Sequence, residues 1–196
     1  PPRSTLFPYT TLFRSFVNYG EVVASHLEAV RFVEGYAIVP VRRRFRTVVT
    51  SAAGHPLDRT YYQTVKGMVG PLDILADGAR LVVASSCSEG MGSREYVEAQ
   101  RRLVAAGPDG FLAGIRDKRF ADVDEWQTQM QTKPMRLARI QLYAPGLSDA
   151  DAALTGVERV GSVADAVLAA VRESGDRAVA VVPEGPYVVP VYRPEA

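Results

Sequence analysis

Leu81-Val82-Val83-Ala84-Ser85-Ser86-Cys87-Ser88-Glu89-Gly90-Met91-Gly92-Ser93 carries the pattern on which the fold turns. An unbroken apolar run gives way to small residues and two glycines, and then to Ser93, a residue that caps helices. Glu95 and Glu98 follow, at the positive end of the helix expected to about residue 106. A strand without polar alternation is covered on both faces, and one that feeds a helix start is a step of a parallel sheet.

The pattern recurs outward from that stretch. Residues 47–52 are apolar and β-branched and run into the loop Gly54-His55-Pro56. Asp58 is the expected cap of a helix over residues 59–68, which Gly70-Pro71 ends. Ser162 starts the best amphipathic helix, with Val163, Ala166, Val167, Ala170 and Val171 on one stripe and Gly175 at its end. Short strands are expected at 157–160 and 178–182, and residues 109–142 read as helical with a break at Pro134. Residues 188–192 read as a closing extended segment at an edge, because Pro190 cannot donate to a ladder. The class is α/β: a three-layer, Rossmann-like domain over residues 45–196, with a mostly parallel sheet and helices on both faces.

Residues 16–44 are expected to form a linker and helical remnant before that domain. They include a helix at 21–33 with a stripe of Val22, Val23, Ala29, Val30 and Val33, stopped by Gly35, and then a strand at 36–41. Residues 1–15, PPRSTLFPYTTLFRS, have no period and no start Met, and resemble a translated sequencing adapter, a non-native tail. They also lack the basic start, apolar run and cleavage site of a signal peptide.

Composition narrows the chemistry. The 196 residues carry 23 Lys and Arg against 22 Asp and Glu, a net charge of +1. Such a balance excludes a general nucleic-acid or membrane-surface binder, and Arg42 to Arg46 reads as a solvated stretch. No run of about 18 apolar residues is present to span a bilayer. A single cysteine, Cys87, excludes an intramolecular disulfide and a Cys-based zinc site, and is expected to be a small buried thiol. The two histidines, His26 and His55, are far apart and lack carboxylates at ligand spacing, so no metal site is expected.

Ligands of parallel sheets gather where strands hand over to helices. At the junction after residue 52, Gln63 and Lys66 are three apart on one expected helix face, with Tyr62 four before Lys66. An amide and an ammonium near a helix start make a carboxylate clamp; a solvated helix face is the plain alternative. The loop 85–93 allows close backbone approach and an anion at the helix start, yet it matches neither a phosphate loop nor a dinucleotide fingerprint. Trp126, the sole tryptophan, stands in polar Asp124-Glu125-Trp126-Gln127 and is read as a core anchor or a pocket wall.

Two segments, SAAGHPLDRTYYQTVKGM (51–68) and ARLVVASSCSEGMGSREY (79–96), together resemble the C-terminal domain of the nickel-pincer lactate racemase family. The resemblance covers residues 45 to 183. It implies a bacterial, cytoplasmic racemase or epimerase of small 2-hydroxy acids, an isomerase. Its cofactor would be a nickel-pincer nucleotide, nickel bound to a dithio-modified nicotinic acid mononucleotide, and its mechanism hydride transfer with histidine acid/base groups. The family's Tyr-Gln-x-x-Lys motif falls on Tyr62, Gln63 and Lys66, and its later tryptophan on Trp126, as substrate-binding residues. The catalytic histidines, the cofactor lysine and the nickel ligand belong to the family's N-terminal domain and have no counterpart after Phe16. The chain is therefore expected to be the substrate-clamping part of a longer enzyme, with no catalytic residue of its own and inactive alone. A stand-alone α/β ligand-binding or accessory module is the competing reading. Ala53 departs from the family's Gly-Gly-x-Pro loop, a mild change at negative φ and a costly one at positive φ.

Overall fold

The structure, a computed structural model, describes residues 16–195; the expectation for residues 1–15 lies outside them. The chain divides between Ile38 and Val39 into two compact units. In the first, helix α1 (Val22–Ala37) is capped by the Glu21 carboxylate and buries no residue. Its expected stripe is exposed, with Val22 at 79% and Val33 at 53%. Gly35 does not stop it: a helical glycine costs only about 1 kcal/mol, and the helix continues to Ala37. Phe32 stacks on Phe16 at 4.8 Å between ring centroids.

The second unit is a five-stranded parallel sheet of β2 (Phe45–Ser51), β3 (Leu75–Ala84), β4 (Ala138–Tyr143), β5 (Glu158–Arg159) and β6 (Val179–Val182), in the order β5-β4-β3-β2-β6. The register pairs Val48 with Leu81, Leu81 with Ile140, and Val48 with Ala180. Its helices are α2 (Tyr61–Val69), α3 (Arg94–Arg116), α4 (Glu125–Leu137), α5 (Asp149–Leu154) and α6 (Val163–Ser174). Leu81, Val82 and Val83 are consecutive and all fully buried, so both faces of the sheet are covered. Strands β2 to β5 step outward with α2, α4 and α5 in their crossovers. The chain then returns through α6, which packs on β2 and β3, to place β6 on the far side of β2. Right-handed crossovers put these two sets on opposite faces, which makes the three layers. The strand order reverses at β2, so the carboxyl end of β2 borders the crevice where such sheets bind ligands.

Several local readings change. Strand β4 was expected as helix, because no glycine separates Ala138 from α4 and its polar Arg139 and Gln141 hide the strand. Pro134 lies inside α4 rather than breaking it. Residues 188–192 form β7 (Val189–Tyr192), which pairs with β1 (Ile38–Val41) in a separate two-stranded sheet. The arginine run is exposed between β1 and β2, as expected of a solvated stretch; within it Arg43 pairs with Asp176, and Arg44 pairs with Asp73 and stacks on Tyr192 at 4.5 Å. Among the described residues, no helix is long and apolar enough to cross a membrane.

Candidate functional site

Two loops meet at the carboxyl ends of β2 and β3. Asp58 does not cap α2. It is buried in a short 3-10 turn, Leu57–Arg59, and its carboxylate accepts from the Ser86 N–H at 3.0 Å. Thr60 is the cap instead, accepting from the Gln63 N–H. The loop after β3 supplies the rest: the Gly90 and Met91 carbonyls accept from the Tyr61 and Tyr62 N–H groups at 2.9 and 3.0 Å. The first donors of α2 are thus already used, and the helix start is closed to an anion. Lys66 stands in the last turn of α2, at the negative end of the helix dipole, so only Gln63 lies near the positive end.

Helix α2 lies close on β2. The Thr50 hydroxyl donates to the Gly67 carbonyl at 3.1 Å. A Cβ on Gly67 would lie 2.6 Å from the Ser51 carbonyl oxygen, so only a glycine allows this approach. Between the loops Cys87 is fully buried, its sulfur 3.3 Å from the Thr64 hydroxyl, and burial pushes its thiol up. That is an inert packing thiol.

The four residues expected at the site come from α2 and α4. Trp126, the second residue of α4, sets its ring edge-on to Tyr62, with centroids 6.1 Å apart and planes at 89°. Tyr62 also meets Tyr96 edge-to-face at 5.2 Å. Burial, with the Asp124 carboxylate beside it, pushes the Tyr62 phenol up, so it stays protonated. The Lys66 ammonium is 5.9 Å from the Tyr62 ring centroid and has no carboxylate partner among the described residues. Lys118, by contrast, is paired with Asp122 and Glu125. The Gln63 amide oxygen is buried and without a hydrogen-bond partner. Trp126 is 51% exposed, a wall rather than a core anchor. A free cation, an orphaned amide and two aromatic rings thus share one small region of α2 and α4.

Other residues at this place were not singled out from sequence. The Ser93 hydroxyl donates to Asp124 at 2.6 Å, and Gln127 donates to the Tyr62 carbonyl at 2.8 Å. Gly92, at φ +121, leaves room for the Tyr62 Cβ. Only the polar setting of Trp126 hinted at them.

Ala53 adopts φ 65, the costly case. Alanine there is strained by about 1–2 kcal/mol, partly offset by the greater unfolded-state freedom of glycine. Ala53→Gly is expected to raise stability by about 0.5–1 kcal/mol, read as a Tm gain of about 1–4 °C. A lower Tm would show that the Ala53 side chain packs favourably enough to outweigh its backbone.

Among the described residues, no group of three or more His, Cys, Asp or Glu side chains is placed to hold a metal. His55 is exposed in its loop, and His26 is exposed in the first unit.

A family model described as the lactate racemase C-terminal domain matches residues 42–190. Lactate racemase of Thermoanaerobacterium thermosaccharolyticum is 26% identical over 129 residues, 61% of this chain and 27% of that protein. The structure of the lactate racemase apoprotein from that organism matches with a TM-score of 0.72 at 22% identity, over 86% of this chain and 40% of that one. A crystal structure of a Thermotoga maritima protein matches with a TM-score of 0.54 at 8% identity, over 87% of this chain and 42% of that one. At these identities the two structures are alike in fold alone. The chain spans about a quarter of the curated relative it matches.

Proposed function

Because the chain belongs to the lactate racemase C-terminal domain family, we propose that it is the substrate-clamping domain of a racemase or epimerase of 2-hydroxy acids. The observation that carries this reading is the Lys66 ammonium, 5.9 Å from the Tyr62 ring centroid and without a carboxylate partner among the described residues, on the same helix as the orphaned Gln63 amide three residues before it. A 2-hydroxy acid has a carboxylate for the cation and a hydroxyl for the amide. The charge-assisted bond to Lys66 fixes the carboxylate end. A buried amide oxygen without a partner costs about 1–3 kcal/mol, and a hydroxyl donor removes that cost. Tyr62 and Trp126 flank the group with aromatic surface, Tyr62 partly buried and Trp126 51% exposed.

Among the described residues, no His, Cys, Asp or Glu group of three or more offers a set of ligands for nickel. The nickel-pincer nucleotide, which supplies the hydride acceptor, and the acid/base histidines are assigned to parts of the cytoplasmic, bacterial parent outside these 196 residues. Residues 45–196 are the clamping domain, residues 16–44 lead into it, and residues 1–15 are not native to it.

The test is the cofactor-loaded parent enzyme, assayed on enantiopure lactate and other 2-hydroxy acids by chiral chromatography. Interconversion of enantiomers is expected. A parent that binds 2-hydroxy acids by calorimetry yet interconverts none would be a binding module. Neither binding nor turnover would end the hydroxy-acid reading.

A further inference from the structure

Four consecutive residues, Asp124-Glu125-Trp126-Gln127, are each tied down by a contact from another element or loop. Asp124 accepts from Ser93, Trp126 meets the Tyr62 ring, and Gln127 donates to the Tyr62 carbonyl. Glu125 has the heaviest restraint. Its carboxylate is buried, 3% exposed, and receives Lys118 at 2.9 and 3.0 Å and the Asp122 N–H at 3.1 Å. Arg102 reaches the same group at 2.6 Å. Burial pushes this carboxyl up, but the donors from Lys118, Asp122 and Arg102 outweigh it and hold it below the usual range.

The restraint is long-range in origin. Arg102 and Lys118 are 16 residues apart in sequence, which along a straight helix is about 24 Å. They meet one carboxylate because α3 is kinked at Gly107, where φ is 70 and ψ 173, a conformation open essentially to glycine alone. Arg102 is further held over the Phe111 ring at 5.6 Å. Asp124 just before the anchor adopts φ 61, and a non-glycine residue keeps such a backbone only where its surroundings over-determine it.

We propose that Glu125 is a positioning residue: its buried carboxylate, gripped by Arg102 from the first half of the kinked α3 and by Lys118 just past the end of that helix, sets Trp126 against Tyr62. It touches neither substrate nor Lys66; it acts through the tryptophan ring. The catalytic consequence rests on Trp126 being a wall of the hydroxy-acid site, whereas the placement of the ring does not.

Because Trp126 is the only tryptophan, its emission and near-ultraviolet circular dichroism report this ring alone. In the full 196-residue chain, Glu125→Gln is expected to shift the emission to longer wavelength and to remove roughly half of the tryptophan dichroic band, with unchanged far-ultraviolet signal. In the loaded parent, the same variant is expected to raise KM about tenfold with kcat within about twofold. A folded Glu125→Gln chain with wild-type tryptophan signals overturns the proposal and leaves Glu125 a purely stabilising group. If that variant fails to fold, Lys118→Met keeps Arg102 and the Asp122 N–H and is expected to move both signals the same way by less; no movement overturns the proposal. Shifted signals in the 196-residue chain, with no turnover in the parent, would uphold the positioning role and sink the hydroxy-acid reading. Unshifted signals in that chain, with an active parent, would do the reverse.

Discussion

In the cofactor-loaded parent, Lys66→Ala is expected to lower kcat/KM for a 2-hydroxy acid at least about tenfold. A hydrogen bond to a charged group contributes about 1.5–3 kcal/mol, and each 1.4 kcal/mol is a factor of ten. The ammonium has no competing carboxylate among the described residues, so its full charge is free for a ligand. The loss should fall mainly on KM. The substrate carboxylate keeps its charge throughout the reaction, so Lys66 binds ground state and transition state alike. Lys133, exposed on α4, serves as the control, and Lys133→Ala should leave both constants unchanged. Wild-type kcat/KM in Lys66→Ala would make Lys66 a solvated residue and remove the clamp.

Gly67→Ala is the second large effect, and propensity alone predicts its sign wrongly. In an open helix, alanine would stabilise by about 0.8–1 kcal/mol over glycine. Here the added methyl would meet the Ser51 carbonyl oxygen at 2.6 Å and the Ser51 carbonyl carbon at 3.1 Å, both backbone atoms of β2. Backbone in a central strand cannot give way cheaply, and overpacking costs about 1–3 kcal/mol or more. We expect Tm to fall by about 5–10 °C, in line with about 2–4 °C per kcal/mol for a domain of this size. Because Gly67 follows Lys66, the clamp on α2 should move with it. A Tm at or above the wild-type value would mean that α2 can lift from the sheet freely.

The parts of the fold legible in the sequence are those governed by local physics. Helix α6 runs from its Ser162 cap to the left-handed Gly175 as its stripe and caps indicate. Strand β3 announces itself through the run at residues 81–84, because a strand covered on both faces has no polar side, while β2 and edge strand β6, with Val181 exposed, show only as short β-branched runs. Strand β4 escaped because its Gln141 is a polar residue buried in the sheet, which no apolar pattern marks. Tyr62, Gln63 and Lys66 could be named because they share one helix; the polar setting of Trp126 left it a core anchor or a pocket wall, and only the family resemblance chose between them.

The sequence by itself determined the parallel α/β architecture, the family motifs and the shortage of histidine, all readable within short windows of chain. Only the tertiary structure decided that Trp126 stands against Tyr62, that Ala53 sits at positive φ, and that Arg102 and Lys118 converge on Glu125. The physical reason is range. Periodicity and capping record how one element meets water, while these contacts join α2, α3 and α4 across a kink and a sheet, where packing rather than propensity chooses the geometry.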